Sequence, residues 1–387
     1  MAFEAPDFFE IDELLTDDER MIRDTVRDWV SERVLPVIGD HYMAGTFPND
    51  LIPEMAELGL LGAGIDGYGC PGLSPVAYGL ILQELERGDS GIRSFVSVQG
   101  SLVMWPIFAY GSEAQKEKWI PPMHKGEAIG CFGLTEPDHG SDPGGMATRA
   151  EKTSKGYVLN GAKMWITNGT FADVAIVWAK LDGKVRGFLV EKEREGFSAP
   201  LMEKKYSLRA SVTSELILQD VEIPEENLLP DVQGLKGPLS CLSQARFGIA
   251  FGAAGAAMAC YDEALQYTLE RTQFGKQLAH FQLPQTKLAN MLSEITKMQL
   301  MNLRLGRLKE AGRVTPSQIS MAKRNGCWHA LDIARTCRDM LGANGITAEY
   351  QVMRHMCNME SVMTYEGTHD IHGLILGHEI TGLDAFR

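Results

Sequence analysis

The 387-residue sequence lacks an excess of positive charge, a paired-cysteine motif and any low-complexity tract. Its formal net charge of −14 disfavours nucleic acid and anionic membranes as partners, because both bind basic surfaces. It also has no run of about 18 apolar residues, which is what a membrane-spanning helix needs. We therefore expect an ordinary globular protein, in which an anionic ligand would have to be met by local arginines.

The seven cysteines are scattered, odd in number and without a C-x-x-C pair. This spacing predicts reduced, mostly buried thiols in a reducing compartment, and we expect no metal centre. Residues 1–30 are acidic and lack the cationic start and apolar centre of a signal or transit peptide. The location expected from these features is cytoplasmic.

Three regions differ in their sequence periodicity. Residues 1–130 have mainly helical patterns, residues 131–236 alternate with a period of two, and residues 237–387 return to long helices. We predict a mostly α-helical α+β fold, with an N-terminal helical domain, a middle β-barrel-like domain and a C-terminal four-helix bundle. The bundle helices are predicted at about 239–271, 281–311, 316–341 and 369–384.

Local signals predict several boundaries. Thr16–Glu19 has the pattern of a capping box that begins a helix, and Pro36 lies near the predicted end of that helix. Pro121-Pro122 predicts the end of a second helix. Asn160-Gly161 and Asp182-Gly183 each predict a hairpin turn between two strands.

A carboxylate near the C-terminal end is a candidate general base. Glu366 lies between Tyr365 and Gly367, two residues before Thr368, which is a good helix N-cap. A glutamate at the mouth of a buried helix can accept a proton from a substrate if its pocket excludes water. An isolated loop glutamate is more commonly solvated, so neighbouring motifs must decide between the two readings.

Two segments at the start of the β region could bind a heterocyclic cofactor. Residues 131–142 carry hydroxyls at Thr135 and Ser141, and their backbone amides suit a phosphate. Residues 163–169, Lys-Met-Trp-Ile-Thr-Asn-Gly, place an aromatic ring and a hydroxyl on one strand. Alone, each segment is also compatible with an ordinary loop or strand.

Together with R-T-Q-F-G, L-G-A-N-G and Y-E-G-T, these motifs make the sequence similar to the acyl-CoA dehydrogenase flavoprotein family over nearly the whole chain. The resemblance implies FAD as cofactor, a homotetramer and the three-part fold described above. By the same resemblance, the cofactor-binding residues are Leu134, Thr135, Ser141, Trp165, Ile166, Thr167, Arg271, Phe274, Gln282, Asp339, Met340, Leu341, Gly342, Ala343 and Thr368.

The resemblance also implies how these residues are used. The flavin ring would lie against Trp165, and Arg271 would hold the pyrophosphate of a neighbouring subunit's FAD, where an acidic protein needs a cation. The 339–343 loop would meet the adenine end of that FAD. This sequence has Ala343 where the family usually has a second glycine, which adds a methyl group at that position.

Glu366 matches the family's usual catalytic base. Some members carry the carboxylate at the position held here by Ala245, which cannot accept a proton, so Glu366 is the remaining candidate. Glu86, Arg93 and Ser97 resemble the glutaryl-CoA dehydrogenase subgroup, in which they receive the substrate's distal carboxylate, although a structural ion pair is an alternative reading. The substrate-binding residues implied are Glu86, Arg93, Ser94, Ser97, Ser243, Arg246, Tyr365, Gly367 and Phe386.

The activity that the resemblance implies is FAD-dependent α,β-dehydrogenation of glutaryl-CoA, with decarboxylation to crotonyl-CoA and CO₂. Electrons would pass to an electron-transfer flavoprotein. The alternatives are a non-decarboxylating glutaryl-CoA or short-chain acyl-CoA dehydrogenase, an acyl-CoA oxidase, and a silent flavoprotein or CoA-binding scaffold. Oxidases of this fold generally carry a long additional C-terminal domain, and the presence of Glu366 disfavours a silent scaffold, so we expect a dehydrogenase.

Overall fold

The computed structural model describes residues 3–385, in which helical regions flank one curled sheet. The predicted fold class, mostly helical with a β half-barrel between helical parts, is confirmed. The helices of the first region are α1 Asp17–Trp29, α2 Leu35–Ala44, α3 Ile52–Glu57, α4 Pro75–Gly88, α5 Ser90–Ser97, α6 Trp105–Tyr110 and α7 Glu113–His124. Two π-helical segments, Val30–Val34 and Val98–Met104, join α1 to α2 and α5 to α6.

The capping box at Thr16 is confirmed, but both proline boundaries are wrong. Thr16 and Glu19 exchange side-chain hydrogen bonds with each other's backbone amides. The helical path continues past Pro36 to Ala44, because the wider π turn before it accommodates a residue without an N–H. Helix α7 includes both Pro121 and Pro122, whose carbonyls still accept hydrogen bonds from the residues that follow.

The middle region forms a seven-stranded sheet in the order β3-β6-β4-β5-β9-β8, with β7 paired to β6. Its longest pairing joins β5 to β9 in antiparallel orientation, and β3 runs parallel to β6. Two short hairpins outside this sheet are β1–β2 and β10–β11. The strands are β1 Asp66–Gly67, β2 Cys70–Pro71, β3 Gly130–Gly133, β4 Arg149–Thr153, β5 Gly156–Thr167, β6 Val174–Leu181, β7 Lys184–Glu191, β8 Phe197–Ser198, β9 Thr213–Ile223, β10 Thr272–Gln273 and β11 Lys276–Gln277.

Of the two predicted hairpin turns, one is confirmed and one is wrong. Asp182 and Gly183 connect β6 to β7 with φ values of +51° and +75°, the left-handed pair that a two-residue hairpin requires. Asn160 and Gly161 instead lie inside β5, at a bulge in its pairing with β9. Gly161 is needed there because a Cβ would lie 2.4 Å from Oγ1 of Thr148.

The C-terminal region contains the four predicted long helices and one further helix that the sequence did not indicate, α11. Helix α8 packs closely on α4, since a Cβ at Gly255 would lie only 1.9 Å from the carbonyl oxygen of Gln83. Small residues on α8 therefore allow the two backbones to approach. The helices are α8 Lys236–Glu270, α9 Gln282–Glu310, α10 Pro316–Met340, α11 Val352–Thr364 and α12 His369–Thr381.

The cysteines are free thiols, of which five are buried and Cys70 and Cys357 are half-buried. This confirms the expectation of unpaired, mostly buried thiols. Within residues 3–385, none of the helices has the length and apolar character needed to cross a bilayer. The same range contains no group of three or more His, Cys, Asp or Glu side chains arranged to hold a metal ion.

Candidate active site

A buried ion pair joins helices α4 and α5. Asp89 separates the two helices in an extended conformation, and its carboxylate accepts the backbone N–H of Gly91 at 2.6 Å to begin α5. This turn brings Arg93 of α5, 1% exposed, against Glu86 of α4, 0% exposed, and Arg93 Nε donates to Glu86 Oε2. Helix α8 passes so close that a Cβ at Gly252 would lie 2.5 Å from the same oxygen.

The guanidinium of Arg93 also reaches the loop that carries Glu366. Its Nη2 donates to the phenol oxygen of Tyr365, and its central carbon lies 5.5 Å from the ring centroid. Burial lowers the pKa of Arg93, but the charge of Glu86 and the phenol of Tyr365 more than offset this and hold the pKa above its ordinary value. Arg93 is therefore a permanent, buried cation beside the segment that carries Glu366.

Glu366 occupies a strained position between two helices. Its φ is +53°, a left-handed value that is unusual for a residue with a side chain, and Gly367 follows with φ of +98°. Thr368 then caps α12 by accepting the backbone N–H of Ile371 at 3.2 Å, as the sequence predicts. Such backbone strain is found preferentially at functional sites, where surrounding contacts maintain it.

One oxygen of the half-buried Glu366 carboxyl group is held out of water. Its Oε2 is buried and has no hydrogen-bond partner among residues 3–385. Burial raises the pKa of Glu366, while the positive charges of Lys323, Arg93 and Arg246 act in the opposite direction. A carboxylate with a raised pKa and a free oxygen is suited to accept a proton from a bound substrate.

Cations on α8 and α10 bind the three consecutive carbonyls around Glu366. Lys323 Nζ donates to the carbonyl of Tyr365 and, at 2.7 Å, to that of Gly367. Arg246 Nε donates to the carbonyl of Glu366 itself at 2.6 Å. The backbone on both sides of the candidate base is therefore fixed by two buried side chains.

Several buried hydroxyls, some unpaired and some paired, lie near Arg93. Ser97 lies one turn after Arg93 on α5, and its buried Oγ has no partner in the described part of the chain. Ser94 is also buried, at 4% exposure. Tyr78 Oη and Ser101 Oγ form a buried hydrogen bond of 2.8 Å, so they are already satisfied.

The structure places the remaining predicted substrate residues as follows. Arg246 is buried on α8 directly after Ala245, which is fully buried. Ser243 Oγ donates to the carbonyl of Leu239 in its own helix at 3.0 Å. Phe386 lies outside the described residues.

Sequence reasoning did not identify Lys323, Tyr78 or His372. Lys323 follows buried Ser320 by three residues and precedes buried Cys327 by four, so helical spacing alone places it on the core face of α10. A lysine on such a face is the signal that could have identified it. His372 is 1% exposed beside Gly367, and burial lowers its pKa to about 2, which keeps it neutral.

The predicted flavin motifs are joined by a buried ion pair. Lys163 Nζ on β5 lies 2.8 Å from Glu136 Oε1 and donates to the carbonyl of Leu134 at 3.1 Å. The Glu136 carboxylate also accepts the backbone N–H groups of Ala147 and Thr148. Burial alone would raise the pKa of Glu136, but these bonds lower it to about 2. The loop after β3 is therefore held against β5.

An aromatic face lies beside this loop. Met164 donates its backbone N–H to the carbonyl of Thr135 at 2.9 Å, which places the next residue, Trp165, close to Thr135. Trp165 has φ of +66° and is 58% exposed, at an irregularity in the β5–β9 pairing that turns it out of the sheet. The exposed indole, with hydroxyls at Thr135 and Thr167, fits a planar polar ring such as a flavin. Of the other predicted cofactor residues here, Ile166 is buried and Ser141 is exposed.

A third predicted group lies at the opposite end of α8. Arg246 is near the start of α8 and Arg271 is its C-cap, so the rise of a helix separates them by ~37 Å. Arg271 is exposed and is followed by the β10–β11 hairpin, whose tip residue Phe274 is 94% exposed. Gln282 begins α9, and residues 339–343 span the end of α10 and the turn after it. Within 339–343, Leu341 is buried, Met340 is half-buried, and Asp339, Gly342 and Ala343 are exposed.

Three family models match consecutive parts of the chain. The N-terminal domain of acyl-CoA dehydrogenases matches residues 16–127, the middle domain residues 131–221 and the C-terminal domain residues 232–381. Together they cover most of the sequence. The chain belongs to the acyl-CoA dehydrogenase family.

Three members of that family are similar to the chain over most of its length. A glutaryl-CoA dehydrogenase from Mycobacterium smegmatis, solved in complex with FADH₂, is 52% identical, with a TM-score of 0.98 and complete coverage of both chains. A glutaryl-CoA dehydrogenase solved in complex with glutaryl-CoA is 32% identical, with a TM-score of 0.92 over 96% of this chain and 98% of that one. The short-chain specific acyl-CoA dehydrogenase of Megasphaera elsdenii is 34% identical over 94% of this chain and 98% of its own length.

Proposed function

We propose that this protein is an FAD-dependent glutaryl-CoA dehydrogenase that releases crotonyl-CoA and CO₂. The overall change is loss of one hydride and one CO₂ from the acyl chain, with the two electrons of the hydride passing on to an acceptor. Glu366 acts as the catalytic base. Glutaryl-CoA dehydrogenases at 52% and 54% identity support the choice of substrate, and the buried polar groups around Arg93 carry it.

The observation that carries the proposal is Arg93. A straight-chain acyl group ends in a methyl, which gains nothing from a buried cation, whereas a glutaryl group ends in a carboxylate. Arg93 is 1% exposed, and the unpartnered hydroxyl of Ser97 lies one helical turn away. A substrate carboxylate would accept hydrogen bonds from both groups, which explains why polar side chains are buried there.

The buried charged groups around Glu366 agree with an additional anion, although burial lowers the pKa of Lys323 to about 8. Three cations, Arg93, Arg246 and Lys323, face two carboxylates, Glu86 and Glu366. The excess of one positive charge would be balanced by the distal carboxylate of a dicarboxylic acyl-CoA. A methyl-terminated substrate would leave the excess in place.

Glu366 removes a proton from the carbon next to the thioester. Its free Oε2 accepts the proton, and its raised pKa makes it a stronger base than an ordinary glutamate. When bound, FAD supplies the acceptor for the hydride that leaves the β-carbon. The residues that fit the flavin ring are Trp165 on β5 and Thr135 in the loop after β3, which the bond from Met164 N–H to the Thr135 carbonyl brings together.

Decarboxylation follows from the position of the second carboxylate. Once the α–β double bond exists, the carboxylate sits on the adjacent γ-carbon, and loss of CO₂ leaves a dienolate delocalised into the thioester. Protonated Glu366 can then return its proton to the γ-carbon. Glu86 shares the charge of Arg93, so the ion pair does not hold the substrate carboxylate too firmly for CO₂ to leave.

A second copy of the chain is part of the proposal. Arg271 and the 339–343 loop are separated from Arg246 by the length of α8, ~37 Å, and are mostly exposed. Arg246 contacts Glu366, beside which the flavin ring must lie, so if Arg271 and this loop hold the other end of that FAD, they belong to a second chain. We infer a homo-oligomer, in the form of a tetramer.

We propose that the electron acceptor is an electron-transfer flavoprotein. We also propose that the dehydrogenase itself is cytoplasmic. An acyl-CoA oxidase would return the electrons to O₂ instead. The two are distinguished by mixing the substrate-reduced protein with air or with the purified electron-transfer flavoprotein of the same source. Rapid reoxidation by the flavoprotein and slow reoxidation by O₂ support the dehydrogenase.

The experiment that tests the function is an anaerobic titration of the purified protein with glutaryl-CoA and, separately, butyryl-CoA. Stoichiometric bleaching of the flavin absorbance by glutaryl-CoA, with much weaker bleaching by butyryl-CoA, is the expected result. Preferential bleaching by butyryl-CoA would instead favour a short-chain dehydrogenase, the activity of the 34%-identical relative. Bleaching by neither substrate would contradict both functions.

A further inference from the structure

The left-handed backbone of Glu366 needs an external support. A non-glycine residue at φ of +53° is less stable than in ordinary conformations, so something must hold it there. Lys323 Nζ donates to the carbonyls immediately before and after Glu366, those of Tyr365 and Gly367. One ammonium group therefore bridges the two peptide units that flank the proposed base.

We propose that Lys323 is a positioning residue that fixes Glu366 in its reactive conformation and keeps its carboxylate ionised. The inference rests on the proposed function, since it assigns a role to Lys323 only if Glu366 is the base. Arg246 binds the carbonyl of Glu366 itself but does not bridge the flanking ones. Lys323 is 1% exposed on α10, so the bridge is not exchanged for water.

The electrostatic part of the role follows from what surrounds Glu366. The titratable and charged groups that face it are Tyr78, Arg93, Arg246, Lys323, Cys327 and Tyr365. Lys323 lowers the pKa of Glu366 more than Arg93 or Arg246 does. Its positive charge opposes the effect of burial. Removing its charge leaves burial less opposed, so Glu366 takes up a proton at a higher pH.

The test compares Lys323→Met with Lys323→Arg in the FAD-loaded protein. Lys323→Met keeps the length of the side chain but removes the bridge and the charge, and we expect flavin reduction by glutaryl-CoA to slow by ~10²-fold. The acid limb of the pH profile should move to higher pH. Binding of crotonyl-CoA, which cannot be oxidised further, should keep its affinity, and Lys323→Arg should recover much of the rate.

Lys205 provides a matched control. Its Nζ also bridges two carbonyls, those of Leu208 and Ser211, but it lies in the loop before β9. Lys205→Met should therefore lower stability without moving the acid limb. If Lys323→Met purifies unfolded, Lys323→Gln, which retains a neutral donor, should show the same movement of the limb.

The outcomes separate the two proposals. An unchanged rate and acid limb in Lys323→Met, with Glu366→Gln inactive, would overturn the role of Lys323 and leave the base in place. Normal reduction in Glu366→Gln would overturn the proposed function, and the role of Lys323 with it. Equal movement of the limb in Lys205→Met would show a general effect of lost stability and would also overturn the inference.

Discussion

Arg93 and Tyr365, 272 residues apart in sequence, are joined by a hydrogen bond from the guanidinium to the phenol oxygen. This contact links the cation that we propose for substrate recognition to the residue next to the proposed base. Burial raises the pKa of Tyr365 well above its ordinary value, so the phenol stays neutral and accepts the bond. This hydrogen bond therefore connects the residue proposed to bind the distal carboxylate to the segment that carries the proposed base.

Replacing the base should separate binding from chemistry. Glu366→Gln preserves the shape of the side chain but cannot accept a proton, so flavin reduction by glutaryl-CoA should fall by at least ~10²-fold. In the wild-type protein the rate should rise with pH through the raised pKa of Glu366, because only the ionised form is a base. Stopped-flow reduction over a pH series measures both effects. A near-normal rate in Glu366→Gln would refute the assignment.

Removing Arg271 should weaken the retention of FAD. Its exposed guanidinium is the cation that we propose for the pyrophosphate of a second chain's cofactor, and losing it leaves that charge unpaired. The ratio of flavin to protein after gel filtration should drop in Arg271→Ala. Arg33→Ala, which removes another exposed cation paired with Glu54, should keep the ratio. Equal ratios in both variants would remove Arg271 from the cofactor site.

Close packing of α8 on α4 predicts that alanine substitutions at two glycines change the stability of the protein in opposite directions. Gly255→Ala places a Cβ 1.9 Å from the backbone oxygen of Gln83, so the helices must separate, at a cost of about 1–3 kcal/mol. Gly39→Ala in α2 has nothing within 4 Å and should stabilise by about 0.5–1 kcal/mol. Thermal unfolding of the two FAD-loaded variants checks the opposite signs. A stabilised Gly255→Ala would mean that the observed α4–α8 spacing is wrong.

The products of glutaryl-CoA oxidation decide whether the protein decarboxylates. With an external electron acceptor, mass spectrometry should find crotonyl-CoA and an equal amount of CO₂. Accumulation of glutaconyl-CoA without crotonyl-CoA would identify a non-decarboxylating dehydrogenase. The roles proposed for Glu86 in moderating Arg93 and for Glu366 as an acid would then be wrong.

Much of this architecture could be predicted from the sequence because its signals are local. The capping box at Thr16, the turn at Asp182-Gly183 and the N-cap at Thr368 each depend on residues a few positions apart. The wrong predictions share a different cause. Glycine is needed at position 161 because Thr148 approaches it closely, and the helix continues through Pro36 because a π turn precedes it. Neither feature can be recognised in a short window of sequence.

Site residues that belong to contiguous sequence motifs could be predicted. Residues that join the site only through tertiary contacts could not. Glu366 and Trp165 lie in recognisable segments, but their left-handed backbone conformations are seen only in the structure. Lys323 belongs to no motif, and its bonds to the 365–367 segment cross from α10 to another part of the chain. A buried lysine on a helix face was the available signal, but its partner could not be deduced from spacing.

The proposal that Arg93 grips a second carboxylate is tested most directly by the ratio of kcat/KM for glutaryl-CoA to that for butyryl-CoA in Arg93→Leu. Loss of one partner of a buried charge pair typically costs about 3–5 kcal/mol, so the ratio should fall by roughly 10²-fold or more, and Arg93→Lys should also be impaired. The matched control is Arg87→Leu, which breaks the buried pair with Glu84 on the same helix and should leave the ratio unchanged. Equal losses on both substrates in Arg93→Leu would show that Arg93 is structural and would contradict the assignment of glutaryl-CoA.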